Sequence, residues 1–173
     1  MSYCLSCIGS LPRLDDREWK GAALETERDV EVNFLEPLLL ELGFTETDWE
    51  RQVKLRIGRS EKVIPDYLLH VCRNPQTKTI NASWVWEAKL SISTNEQLGK
   101  DFGQVSSYAK LVNAEGIGLI SREGVWISFR RDNYSLTKAL YWPASQLSER
   151  DRLNELRARI GSAAFNMKKS ANK

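Results

Sequence analysis

The chain has 173 residues, the size of one ordinary domain and enough to bury a core without disulfides or a structural metal. Its 25 Lys and Arg against 23 Asp and Glu leave a formal net charge of +2, too balanced to argue for or against a polyanionic partner. A hydrophobic fraction of 42% with 28% charged residues excludes wholesale disorder, and no apolar run approaches the roughly 20 residues of a membrane helix.

Residues 1–22 read as an N-terminal arm with Gly9, Pro12 and mixed charge. No Lys or Arg precedes the mildly apolar start, and Asp15 and Asp16 follow it, so it is unlike a secretory signal and a cytoplasmic location is expected. Thr26 to Leu42 is predicted helical, because Val30, Phe34, Leu35, Leu38, Leu39 and Leu42 follow the i, i+3, i+4 pattern. Thr26 with Asp29 resembles an N-cap, Gly43 a C-terminal stop, and Pro37 should kink the helix or shift its hydrogen bonding. Val53, Leu55 and Ile57 alternate with Lys54 and Arg56 as in a half-buried strand. Strands are then predicted over 63–72 and 79–90, a helix over 95–114, and a hairpin over 116–130 around Arg122-Glu123-Gly124. An edge strand over 136–142 and a charged helix over 148–160 follow, with residues 163–173 as a basic flexible tail. One α/β domain over 23–162, a mixed central sheet flanked by helices, is the expected architecture.

Trp84, Trp86 and Ala88 alternate with Val85, Glu87 and Lys89, so Glu87 and Lys89 share a strand face. If the strand starting at Pro65-Asp66 pairs antiparallel with this one, Asp66 sits beside Glu87. Two carboxylates meeting there suit a hard divalent cation such as Mg²⁺, with the Lys89 ammonium near enough to stabilise negative charge. A cation that polarises a phosphate and acidifies a bound water is the machinery of phosphodiester hydrolysis. The plain alternative is a turn carboxylate beside a same-face Glu87–Lys89 ion pair.

Pro65-Asp66 followed by Glu87-Ala88-Lys89 resembles the PD-(D/E)XK nuclease motif. Thr26-Glu27-Arg28-Asp29, Leu35-Glu36-Pro37-Leu38-Leu39 and Leu42-Gly43-Phe44 resemble the opening helix of the nuclease domain of type I restriction enzyme R subunits. Gln104 and Tyr108 form the Q-x-x-x-Y pattern that follows the active-site strands there, one helical turn apart on one face. The resemblance covers about residues 26–126. It implies a restriction-endonuclease-like core, with Asp66, Glu87 and the Ala88 backbone carbonyl as ligands to Mg²⁺ or Mn²⁺. It implies Lys89 as the catalytic lysine, Glu27 as the helix acid that reaches the metal directly or through water with Glu31 its rival, and Gln104 and Tyr108 as further catalytic-site residues.

The implied activity is hydrolysis of DNA, by an endonuclease serving restriction or anti-phage defence. The implied partners are DNA, a separate motor or targeting subunit, and a second copy of the chain. The alternative is a catalytically silent nucleic-acid-binding or scaffold subunit. No G-x-x-x-x-G-K-[ST] phosphate loop is present, so ATP-driven translocation is expected to be absent or to reside in another polypeptide. Lys54, Arg56, Arg59 and Lys62 are candidate phosphate-backbone contacts, against the alternative of a solvated strand face. Cys4, Cys7 and Cys72 are an odd number, contrary to a disulfide framework. With His70 they make a conceivable zinc set, though reduced thiols are the simpler reading.

Overall fold

The computed structural model describes the backbone of residues 24–57 and 61–171, and side chains through residue 160. A six-stranded mixed sheet organises the chain, in the order β1-β4-β7-β8-β9-β10. Its strands are β1 (Trp49–Arg51), β4 (Tyr67–Leu69), β7 (Trp84–Ala88), β8 (Gly116–Ser121), β9 (Gly124–Phe129) and β10 (Leu140–Pro143). β7 and β8 are parallel, joined through helix α3 (Asn95–Leu111), and every other neighbouring pair is antiparallel. Two hairpins lie outside this sheet: β2 (Leu55–Ile57) with β3 (Glu61–Val63), and β5 (Cys72–Arg73) with β6 (Ile80–Asn81).

Each face of the sheet carries its own core. On one, Trp84, Trp86 and Ala88 pack with Tyr67 and Leu69 against the N-terminal helix and against helix α4 (Arg150–Ala171), through Leu156 and Ile160. On the other, Val85, Ile117 and Leu119 meet Phe102, Val105 and Ala109 of α3. The two indoles fit because Trp84 and Trp86 pair with Gly116 and Gly118 on the neighbouring strand. A Cβ on Gly118 would come within 2.3 Å of the Trp86 ring.

The N-terminal helix has three consecutive parts: α1 (Glu27–Val30), a π-helical segment (Glu31–Leu35) and α2 (Glu36–Glu41). Thr26 and Asp29 form the expected capping box, and Gly43 closes the helix at φ 91°. The Glu36 amide bonds the Glu31 carbonyl, five residues back. Pro37 has no N–H to continue an i→i−4 ladder, so the predicted disturbance takes the form of a π turn.

Several strands differ from expectation for local reasons. Trp49–Arg51 carries no alternating signal, yet it forms β1, an edge of the sheet. Gln52 adopts φ 50°, so the chain turns off the sheet and the predicted strand at Val53 becomes the β2–β3 hairpin. The 63–72 run is divided at Pro65, which cannot donate to a ladder, and at His70, with φ 48°. Residues Leu136–Lys138 form a 3₁₀ turn, and only Leu140–Pro143 pairs with β9 as an edge strand. The last helix runs on to Ala171, well past the predicted end near Ile160 and through most of the stretch read as a tail. No helix among the described residues is long and apolar enough to cross a membrane.

Candidate active site

β4 pairs antiparallel with β7 in a register that sets Tyr67 against Trp86. Continued by one residue, that register puts Asp66 opposite Glu87. The Asp66 amide faces Glu87 Oε2 at 3.5 Å, and the Ala88 amide donates to Asp66 Oδ2 at 2.9 Å. Lys89 Nζ donates to Glu87 Oε1 at 3.1 Å. The Lys89 amide in turn donates to the Ile120 carbonyl, which extends the β7–β8 pairing to the site. The group therefore stands at the C-terminal end of parallel strands β7 and β8, where open α/β sheets hold their ligands.

Burial is the main force on these groups. It pushes Glu87 up to about 7, reinforced by the charge of Asp66 and opposed by Lys89. Burial also raises Asp66, against the Ala88 hydrogen bond and the Lys89 charge. For Lys89 burial acts downward, but the charge and hydrogen bond of Glu87, then Glu27 and Asp66, outweigh it and the net direction is up. The pair is thus short of positive charge, the condition in which a bound cation is stabilised.

The helix acids separate into two situations. Glu27 is exposed in the first turn of α1, and its charge acts on both Asp66 and Lys89; the Glu31 charge also acts on Asp66, more strongly than that of Glu27. Glu31 is only 8% exposed and already engaged: it accepts from Arg28 and faces the Tyr67 hydroxyl at 3.5 Å. The same hydroxyl donates to Glu36, which also pairs with Arg51. The π turn makes this possible, because i→i−5 bonding stacks Glu31 and Glu36 on one side of the helix. Sequence patterns miss this chain of Arg28, Glu31, Tyr67, Glu36 and Arg51, since five-residue spacing reads as opposite faces of an α-helix. Pro37 was its only sequence signal.

Gln104 donates to the Tyr108 hydroxyl at 2.7 Å, so these two lie together on α3, with Tyr108 mostly buried in the α3-side core. None of their hydrogen bonds reaches Asp66, Glu87 or Lys89 among the described residues. Arg56 and Lys62 lie on the β2–β3 hairpin and Lys54 immediately precedes it, all three exposed, while Arg59 falls outside the described residues. Glu123, read in the sequence only as part of a hairpin turn, ties the segment after Lys89: it accepts from Ser91 Oγ, the Ile92 amide and Ser121 Oγ. Burial raises its pKa, but these hydrogen bonds outweigh it and hold the carboxyl below its usual range.

Among the described residues, no group of three or more His, Cys, Asp or Glu side chains converges as a metal cage. Mg²⁺ does not need one, because it retains water and is commonly held by one or two carboxylates with substrate phosphate. Asp66 and Glu87 fit that pattern by donor type, burial and mutual repulsion. The conceivable zinc set is not assembled by its described members: His70 Nδ1 bonds Ser83 Oγ at 2.9 Å, His70 Nε2 faces Asp48 at 3.4 Å, and Cys72 is exposed. Cys4 and Cys7 lie outside the described residues. No family profile, curated protein or solved structure matches this chain.

Proposed function

We propose that the chain is a Mg²⁺- or Mn²⁺-dependent nuclease with a restriction-endonuclease-like core, hydrolysing DNA phosphodiester bonds. The observation that carries the reading is the contact of Asp66, Glu87 and Lys89 at the ends of β4 and β7, two repelling carboxylates with one ammonium. Asp66 and Glu87 would hold the cation, with the Ala88 carbonyl as a further ligand on the family's pattern. When bound, the cation supplies a Lewis acid and an acidified water.

The chain's own groups do the rest. Lys89 is positioned by Glu87 and keeps further N–H donors for the negative charge that develops on a phosphate. Glu27 is the less committed helix acid, because Glu31 is bonded to Arg28 and Tyr67, although the Glu31 charge acts more strongly on Asp66. The Gln104–Tyr108 pair is a supporting element on α3. An endonuclease role in restriction or anti-phage defence, in the cytoplasm, with targeting by a partner subunit or a second copy, follows from the resemblance to type I R subunits. It is part of the same proposal.

The test is supercoiled plasmid with Mg²⁺ or Mn²⁺, comparing the wild type with Asp66→Ala and Lys89→Ala. Nicking abolished by EDTA and in both variants is expected. Equal nicking by the variants would remove these residues from the chemistry. A second reading, a silent nucleic-acid-binding subunit, is favoured by the direct Lys89–Glu87 pair, which occupies a ligand oxygen. It predicts no nicking by any sample and no calorimetric heat on titration with Mn²⁺.

A further inference from the structure

We propose that the β2–β3 hairpin is a duplex-DNA arm, with Lys54, Arg56 and Lys62 seated on the phosphate backbone beside the Asp66–Glu87 site. The choice of DNA rests on the nuclease reading; the arm itself rests on four observations of geometry and charge. First, the hairpin is rooted at the site. The chain leaves β1 at Gln52, whose amide donates to the Asp66 carbonyl at 2.9 Å. The excursion from Val53 to Pro65 therefore closes on the residue that supplies a candidate ligand.

Second, the hairpin is separate from the main sheet, since β2 and β3 bond only each other. An isolated two-stranded hairpin is marginal in water. This one is anchored by its inner face, where Leu55 is 4% exposed and Val53 and Val63 pack on the α3-side core. Third, its outer face is basic. Arg56 lies directly opposite Lys62, and Lys54 stands two residues before Arg56, at the foot of β2. All three are exposed, and no ion pair among the described residues involves them. Like charges directly opposite each other destabilise a hairpin, and a polyanion across both relieves that repulsion. The acid on the hairpin, Glu61, pairs across with Ile57 and so belongs to the other side.

Fourth, the reach is right. Lys62 stands four positions before Asp66, so their Cα atoms are within roughly 14 Å even if the chain is fully extended. Along a duplex that is about four base-pair steps, so one backbone can meet both the arm and the site. The hairpin would act by position and charge, without reading base sequence.

The experiment is fluorescence anisotropy with a labelled 30-base-pair DNA duplex in EDTA, over a salt series, using the full chain. The variants are Lys54→Ala/Arg56→Ala/Lys62→Ala and a control of equal charge change, Lys100→Ala/Lys110→Ala/Arg152→Ala. The arm variant should bind at least about tenfold more weakly. The slope of log K against log salt should fall by about two to three, close to 0.9 per lost phosphate contact. The control should keep most of the wild-type slope, and circular dichroism should show both variants folded. Equal slopes in wild type and arm variant, or equal losses in arm variant and control, would overturn the arm. Tighter wild-type binding to single-stranded DNA or duplex RNA would overturn the duplex assignment. Because no metal or cleavage is needed, the result is independent of the plasmid assay: the arm can hold where nicking fails, and nicking can persist where the arm fails.

Discussion

Glu87→Gln gives the sharpest physical test of the site. In the folded chain burial lifts the Glu87 carboxyl from 4.5 to about 7, with the Asp66 charge adding to it. A carboxyl whose folded pKa is raised binds more protons in the folded than in the unfolded state between those two values. Stability therefore falls as pH rises through that window and stays reduced above it. The displacement from 4.5 to about 7 corresponds to on the order of 3 kcal/mol at pH 8. Glutamine keeps the shape and an acceptor for Lys89 but does not titrate, so the variant loses this dependence. Against that, Lys89 loses the charge half of its pair, which lowers the gain at any single pH.

The clean quantity is the difference in pH profile. From pH 5 to pH 8 the wild type should lose about 2.5 kcal/mol more than Glu87→Gln, or roughly 5–10 °C in relative melting temperature for a domain of this size. Chemical denaturation followed by circular dichroism at both pH values measures it. Saturating Mg²⁺ at pH 8 should raise the wild-type melting temperature and leave the variant's nearly unchanged. Parallel pH profiles for wild type and variant would show that Glu87 is not a strained, buried carboxylate, and the case for a cation site would lose its electrostatic basis.

Three further outcomes are expected. Gly118→Ala sets a Cβ at 2.3 Å from the Trp86 ring, so one of two packed strands must shift; urea titration should show a loss of about 1–3 kcal/mol, and an unchanged midpoint would mean the indole has room to move. Tyr67→Phe removes the hydroxyl shared by Glu31 and Glu36 while keeping the buried ring, at a cost of about 1.5–3 kcal/mol by the same method; a neutral result would mean Arg28 and Arg51 alone hold the two acids. Glu123→Gln weakens the ties to Ser91 and Ile92. Because the Glu123 carboxyl is held below its usual value, its contribution is present above the unfolded pKa and fades as pH falls through the folded one. Amide exchange at Ile92 should therefore be faster in the variant at pH 7, with the difference closing at low pH; equal protection at pH 7 would mean the loop is held by other contacts.

The sequence alone determined most of what is periodic. The amphipathic stripe from Val30 to Leu42, the Thr26–Asp29 cap, the Trp84–Trp86–Ala88 face and the hairpin around Arg122–Glu123 all rest on local spacing, and local spacing survives into the fold. It also held the pairing of Asp66 with Glu87, because an antiparallel return after Pro65 leaves few registers open.

What only the tertiary structure decided is nonlocal or exceptional in backbone. The left-handed Gln52 diverts an alternating segment out of the sheet, and no hydrophobic pattern reports a φ angle. The π turn brings Glu31 and Glu36 to one hydroxyl, so Glu31 is buried and occupied while Glu27 is exposed. The shift of Glu87 to about 7 likewise depends on the burial and neighbouring charge that assembly of the sheet creates. Periodicity fixes which face a residue takes, but desolvation and the company of other charges exist only once the faces are packed together.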